Sequence, residues 1–109
     1  MRAALYARVS DEEQVEGYSL DAQMRAFGDY VKGQGWDIYQ EYVDEGVSAH
    51  TDDVAKRPLF RRMVEDALAR RWDVLVVHKL DRFSRNVRIT LEYLEKLEKA
   101  DVGFVSITE

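Results

Sequence analysis

Four short apolar runs alternate along this chain with stretches whose apolar residues recur at helical spacing. The clearest run is Val74 to Val77, four consecutive aliphatic residues, which is typical of a strand buried on both faces of a parallel sheet. The runs from Ala3 to Val9, Trp36 to Val43 and Asp101 to Ile107 are also too short for an ordinary helix. This alternation constrains the fold most, because neighbouring parallel strands must be joined by a crossover connection.

Three amphipathic stretches fill the intervals between these runs. The first is expected to begin after Ser19 as N-cap and to stop at Gly35, and the second begins at Pro58, which suits a first helical turn. The third extends from about Val87 to Lys99. The positions expected to face the core are Leu20, Met24, Phe27 and Val31, then Leu59, Phe60, Met63, Val64, Ala67 and Leu68, and finally Val87, Leu91, Leu94 and Leu97. The order βαβαβαβ predicts an α/β fold, with a mostly parallel sheet of at least four strands and helices on both faces.

Composition limits the classes of function. A length of 109 residues suits one domain, and the absence of cysteine excludes disulfides and thiolate metal sites. His50 and His78 are the only histidines, and their surroundings do not have metal-ligand spacing, so no metal and no cofactor is expected. No apolar run approaches the roughly 20 residues that cross a bilayer, and the start does not resemble a secretory signal. We therefore expect a soluble cytoplasmic protein without a membrane partner.

The predicted strands end on residues suited to phosphate chemistry. In parallel sheets, ligands bind beyond the carboxyl ends of the strands. The first run leads to Arg8 and Ser10, the second to Asp44, and the third to a basic segment that starts at Lys79. Arginine binds phosphate oxygens in pairs, and a serine hydroxyl becomes a nucleophile when a neighbour accepts its proton. Taken alone, Ser10 would be better explained as the end of a strand or the cap of a turn, and the basic segment could equally be a solvated helix start.

Five segments of the sequence carry a family resemblance. They are Tyr6 to Ser10, Gly17 to Gln23, Asp44 to Ser48, Arg57 to Phe60, and Lys79 to Asn86. In this order they resemble the motifs of the serine recombinases, the family of resolvases, invertases and integrases, over essentially the whole chain. The long gap between Ser10 and Gln23 is most similar to the large serine integrases and transposases. Ala49 departs from the glycine that many members have after the serine of the third segment.

The resemblance implies a site and a reaction. Ser10 would attack a DNA phosphodiester to form a covalent 5′-phosphoserine, and strand exchange and religation would follow without a cofactor. The cations implied to hold the phosphate are Arg8, Arg82 and Arg85, and the residues implied to bind phosphate or support the site are Arg57, Gln23, Asp44, Lys79 and Asp81. The implied partners are DNA and further copies of the chain, as a dimer and a synaptic tetramer.

Residues 1–109 would then be an N-terminal catalytic domain, truncated before the dimerisation helix and the DNA-binding domains and inactive by itself. The net charge of −5 agrees with such a division, because DNA affinity would come from another domain.

Several alternatives remain open at the level of sequence. Asp44 and Asp81 could act as structural partners rather than proton carriers, and Ser84 or Ser19 could compete with Ser10 as nucleophile. A flavodoxin-like or receiver-like domain would bind phosphate without cutting DNA, but it would require a different loop after the first strand. A catalytically silent interaction domain is the third alternative.

Overall fold

The computed structural model describes residues 1–9, 20–45, 57–79 and 87–108. Within them, four strands alternate with three helices, in the order expected from the sequence. The elements are β1 (Arg2–Val9), α1 (Leu20–Gln34), β2 (Asp37–Glu45), α2 (Pro58–Leu68), β3 (Val74–Val77), α3 (Val87–Lys99) and β4 (Gly103–Ser106).

The four strands form one parallel sheet in the order β2-β1-β3-β4. The first strand lies inside the sheet, where Tyr6 is in register with Tyr42 on one side and with Val77 on the other. All four side chains of β3 are buried, as expected for a strand that is covered on both faces. The predicted α/β class with a parallel sheet is therefore confirmed.

Helices cover both faces of the sheet because successive side chains of β1 point to opposite sides. Ala4 and Tyr6 join a core with α2 and α3, and this core includes Phe60 and Trp72. Ala3, Leu5 and Ala7 instead join a second core, to which α1 contributes Phe27 and Val31. The sheet thus separates two apolar layers, with one helix on one side and two on the other.

Local chemistry explains where two of the helices begin or end. Gly35 has φ of +73°, a left-handed conformation that glycine adopts without steric cost, and it ends α1 as the sequence predicted. Pro58 occupies the first turn of α2, where its missing N–H would have no partner within the helix. Ser19, the predicted cap of α1, lies outside the described residues.

The structure corrects two of the predicted core faces. Val87 and Leu91 were expected to face inward, but they are 73% and 63% exposed, and the buried positions of α3 are Thr90 and Leu97. Leu68, expected in the core stripe of α2, is exposed as well. Packing determines which face of α3 is turned toward the core, because Tyr93 meets the Phe60 ring edge-on with ring centroids 5.1 Å apart.

Small differences in strand length also occur. The second strand begins one residue after Trp36 and continues to Glu45, and the last strand is shorter than the run from Asp101 to Ile107. A register shift between Ala3 and Ala4 accommodates an extra residue in β2 at its start. Within the described ranges, no helix is long and apolar enough to cross a membrane.

Candidate active site

The carboxyl ends of β1 and β2 bring a cation and a carboxylate side by side. Arg8 is in register with Asp44, and strand alternation puts Arg8 on the same face of the sheet as Tyr6. Both residues are almost fully buried, with relative exposures of 0% for Arg8 and 3% for Asp44. This is the edge of the sheet at which parallel α/β folds bind their ligands.

Asp44 connects the end of β2 to the beginning of α2. Its carboxylate accepts hydrogen bonds from the backbone N–H groups of Leu59 and Phe60, each at 3.1 Å. The N-cap residue of this helix, Arg57, makes no capping bond with its own side chain. A carboxylate from another element therefore satisfies these N–H groups, and its charge is favourable at the positive end of the helix dipole.

Tyr6 links this carboxylate to a second cation. The Tyr6 hydroxyl donates a hydrogen bond to Asp44 Oδ2 at 2.8 Å and accepts one from Arg57 Nε at 3.1 Å. The guanidinium carbon of Arg57 also lies 4.1 Å from the centroid of the Phe60 ring and 5.2 Å from that of Tyr6. Arg57 is fully buried, so two aromatic faces and a hydroxyl stabilise a charge that is removed from water.

Burial determines the protonation state of Tyr6. It raises the pKa of the Tyr6 phenol well above its ordinary value of 10.0; the Arg57 charge lowers this pKa, whereas the Asp44 carboxylate raises it further. The hydroxyl therefore stays protonated throughout the physiological range. A protonated hydroxyl can donate to the carboxylate and accept from the guanidinium at once, as the two distances require.

The remaining site residues predicted from the sequence fall into two groups. Gln23 is buried in the first turn of α1, on the opposite face of the sheet from Tyr6, and Lys79 is half-buried two residues after the end of β3. The other four predicted residues, Ser10, Asp81, Arg82 and Arg85, lie outside the described residues. Their roles remain predictions.

Sequence reasoning did not assign a role to Tyr6. Its position inside an apolar run is typical of a core aromatic, and its ring does pack edge-on against Phe60 with centroids 5.3 Å apart. One signal was available: with alternating side chains, Tyr6 shares a face with Arg8. A buried tyrosine beside a buried charge normally directs its hydroxyl to a partner.

This arrangement concentrates positive charge at the edge of the sheet. Arg8 and Arg57 supply fixed positive charge, and arginine has the donor geometry that suits phosphate oxygens. Asp44 and Tyr6 are used for holding Arg57 and α2 in place, which supports a structural function for Asp44. Among the described residues, no group of three or more histidine, aspartate or glutamate side chains could hold a metal ion.

Comparison with known proteins identifies the family of this chain. The family described as "Resolvase, N terminal domain" matches residues 3–109. The chain is 35% identical over 104 residues to a probable DNA-invertase, y4cG, of Sinorhizobium fredii, a match that covers 95% of the chain and 29% of that protein. It is 34% identical over 104 residues to the transposon Tn917 resolvase of Enterococcus faecalis, covering 95% of the chain and 48% of the relative. The chain thus spans less than half of either protein.

Two solved structures share the fold. The N-terminal catalytic domain of TP901-1 integrase is 32% identical and superposes with a TM-score of 0.84, covering 98% of this chain and 77% of that one. A resolvase family site-specific recombinase from Streptococcus pneumoniae gives a TM-score of 0.81 at 31% identity, covering 98% of this chain and 72% of that one.

Proposed function

Since this chain belongs to the resolvase N-terminal domain family, we propose that it is the catalytic domain of a serine site-specific recombinase. The observation that carries the proposal is the pair of buried arginines, Arg8 and Arg57, held beside Asp44 at the carboxyl edge of the parallel sheet. Burying two guanidinium groups is costly, and a site for a phosphodiester gives that cost a function.

Ser10 is the proposed nucleophile. Its Oγ forms a bond to the phosphorus of a DNA phosphodiester, the bond from phosphorus to the 3′-oxygen breaks, and the serine proton passes to a base while the 3′-oxygen gains a proton. The product is a 5′-phosphoserine and a free 3′-hydroxyl. Attack of a 3′-hydroxyl from the exchanged strand reverses these steps, so that no bond energy is lost and no cofactor is consumed.

The arginines have the role of stabilising charge. Negative charge spreads over the phosphate oxygens during in-line attack, and fixed cations lower the free energy of that state. We assign this role to Arg8, Arg82 and Arg85, with Arg57 contributing its charge from the start of α2.

The other members support these groups. Asp44 and Tyr6 hold Arg57 and the start of α2 through the hydrogen bonds described above. Gln23, Lys79 and Asp81 are proposed to orient the phosphate or the arginines.

We further propose that residues 1–109 are the N-terminal part of a longer protein. The short coverage of the invertase and of the resolvase supports this. A dimerisation helix and DNA-binding domains would follow, and the assembled protein would act on DNA as a dimer and a synaptic tetramer. The matches to bacterial relatives support a bacterial or phage protein that acts in the cytoplasm, and the gap between Ser10 and Gln23 supports the large integrase or transposase branch.

The decisive experiment traps the covalent intermediate. In the longer protein, Ser10→Ala should abolish attachment to duplex DNA that carries its recombination site, while folding and DNA binding change little, because a small hydroxyl is lost. Ser84→Ala and Ser19→Ala are the matched controls and should retain the adduct, although Ser19→Ala can lose up to about 2 kcal/mol of capping stability. Cleavage should also continue with a chelator present.

Mass spectrometry would locate the adduct. A phosphopeptide that contains residue 10 supports the proposal. An adduct on Ser84, or one that persists in the Ser10→Ala protein, would overturn it and leave a phosphate-binding module as the better interpretation.

A further inference from the structure

The exposed side of α2 carries a basic groove outside the candidate site. The groove has a volume of about 360 Å³, and its lining comprises Pro58, Arg61, Arg62, Glu65, Asp66 and Arg71. Three arginines line one small concave surface of a chain whose net charge is −5. We call this surface the α2 groove.

Among the described residues, the acids of the α2 groove pair with only one of its three arginines, Arg71. Asp66 accepts a hydrogen bond from the buried Tyr42 hydroxyl at 2.5 Å, and its other oxygen lies 3.7 Å from Arg71 Nε. Within the part of the chain that the structure describes, neither Arg61 nor Arg62 forms an ion pair, although Glu65 lies one turn after Arg61. Two exposed guanidinium groups are therefore available to an external anion.

The α2 groove begins where the candidate site ends. Pro58, at one end of the groove, directly follows Arg57, and the backbone N–H of Arg61 bonds to the Arg57 carbonyl at 3.1 Å. The four residues from Arg57 to Arg61 correspond to an advance of about 6 Å along the helix, slightly more than one turn. A duplex advances about 3.4 Å of axis per phosphate on each strand, so one turn of helix corresponds to roughly two phosphates.

We infer that the α2 groove binds the DNA backbone beside the phosphate that is cut, through Arg61 and Arg62. The inference rests on the proposed function, because it takes DNA as the polymer that enters the site. The phosphate that is cut is flanked by further phosphates of the same DNA strand. A protein of net negative charge repels these phosphates except where positive side chains face them. The groove would thus fix the direction in which the strand leaves the site, without reading its sequence.

Charge variants of the 109-residue chain test this inference at low salt. The probe is a fluorescent mixed-sequence duplex of about 20 base pairs, and the binding constant is measured by anisotropy over a range of salt concentrations. The slope of log K against log salt is negative, and the double variant Arg61→Gln with Arg62→Gln should reduce its magnitude by about 2. The same variant should lose about tenfold in affinity at low salt. Glu65→Gln should tighten binding about twofold.

The matched control removes the same charge from the other side of the sheet. Arg25 and Lys32 are exposed on α1, and the double variant Arg25→Gln with Lys32→Gln should lower the slope by less than half as much. Equal slopes for the two double variants would overturn the inference. It would also be overturned if the α2 variant bound DNA like the unmodified chain but lost binding to an acidic peptide, because the groove would then be a protein contact.

Failure of this inference can be told apart from failure of the proposed function. The covalent adduct on Ser10 depends on the chemistry of the site, and its loss in Ser10→Ala is scored in the longer protein. If that adduct forms and the α2 variants bind DNA normally, only the groove has been assigned wrongly.

Discussion

At the scale of single residues, the Tyr6 hydroxyl is the group on which the buried polar network depends. It joins a carboxylate and a guanidinium that are both removed from water. Tyr6→Phe should therefore lower the free energy of unfolding by about 2 kcal/mol, since two hydrogen bonds to charged groups are lost and their partners stay buried. Urea denaturation of the 109-residue chain measures this difference.

Tyr30→Phe is the control for that measurement. Tyr30 also packs against an aromatic ring, that of Trp36, with centroids 5.9 Å apart, and no described residue bonds to its hydroxyl. Its removal should change the stability by less than about 0.5 kcal/mol. Equal effects of the two substitutions would mean that the Tyr6 hydroxyl contributes nothing through its partners.

Asp73 gives a pH-dependent contribution at the other edge of the sheet. Its carboxylate accepts hydrogen bonds from the side chain of Arg2 at 3.2 Å and from the Arg2 backbone N–H at 2.7 Å, and these hold its pKa below the ordinary value of 3.8. Because the folded pKa is the lower one, the stabilisation is complete above the unfolded value and disappears as the pH falls through the folded value.

Asp73→Asn should accordingly reduce the stability at pH 7, and the difference from the unmodified chain should narrow below pH 3.8. Added salt should also reduce this difference in stability, because both side chains are partly exposed to solvent. A difference that stays constant from neutral to acidic pH would rule out the ionised carboxylate as its source.

At the scale of elements, alanine should have opposite effects at Gly28, inside α1, and at Gly35, which directly follows its last residue. A Cβ at Gly28, inside the helix, would meet nothing within 4 Å, so Gly28→Ala should stabilise the chain by about 0.5–1 kcal/mol. A Cβ at Gly35 would meet nothing either, but the φ of +73° makes Gly35→Ala destabilising by about 1 kcal/mol. Thermal denaturation measures the stability of both variants. A gain in stability for both substitutions would show that α1 does not end in a left-handed residue.

The elements also show why some features were predictable and others were not. Runs and periods within a dozen residues predicted every strand and helix of the described ranges, because this information is local. The inner face of α3 was not predictable, since Val87 and Leu91 are as apolar as Leu94 and Leu97, and the choice between them depends on the Phe60 ring. The partners of the Tyr6 hydroxyl lie 38 and 51 residues away, so no local pattern reveals them.

At the scale of the whole molecule, charge and fold have separate functions. The parallel topology collects Arg8, Asp44 and Arg57 at one edge of the sheet, whereas the surface as a whole carries a net negative charge. Local positive sites on a negative chain favour contact with the few phosphates near the site over general attachment to nucleic acid, because affinity for DNA grows with the number of phosphates neutralised.

The last prediction follows from this separation. The 109-residue chain alone should bind duplex DNA only weakly, and the binding should fall steeply between about 50 mM and about 200 mM salt, because phosphate contacts are exchanged for released counterions. It should not recombine DNA, since the proposed dimerisation helix and DNA-binding domains are not part of it. A mobility-shift titration at the two salt concentrations, with and without a specific site, measures both. Binding that tolerates salt and prefers one sequence would show that this domain reads DNA by itself, without a separate DNA-binding domain.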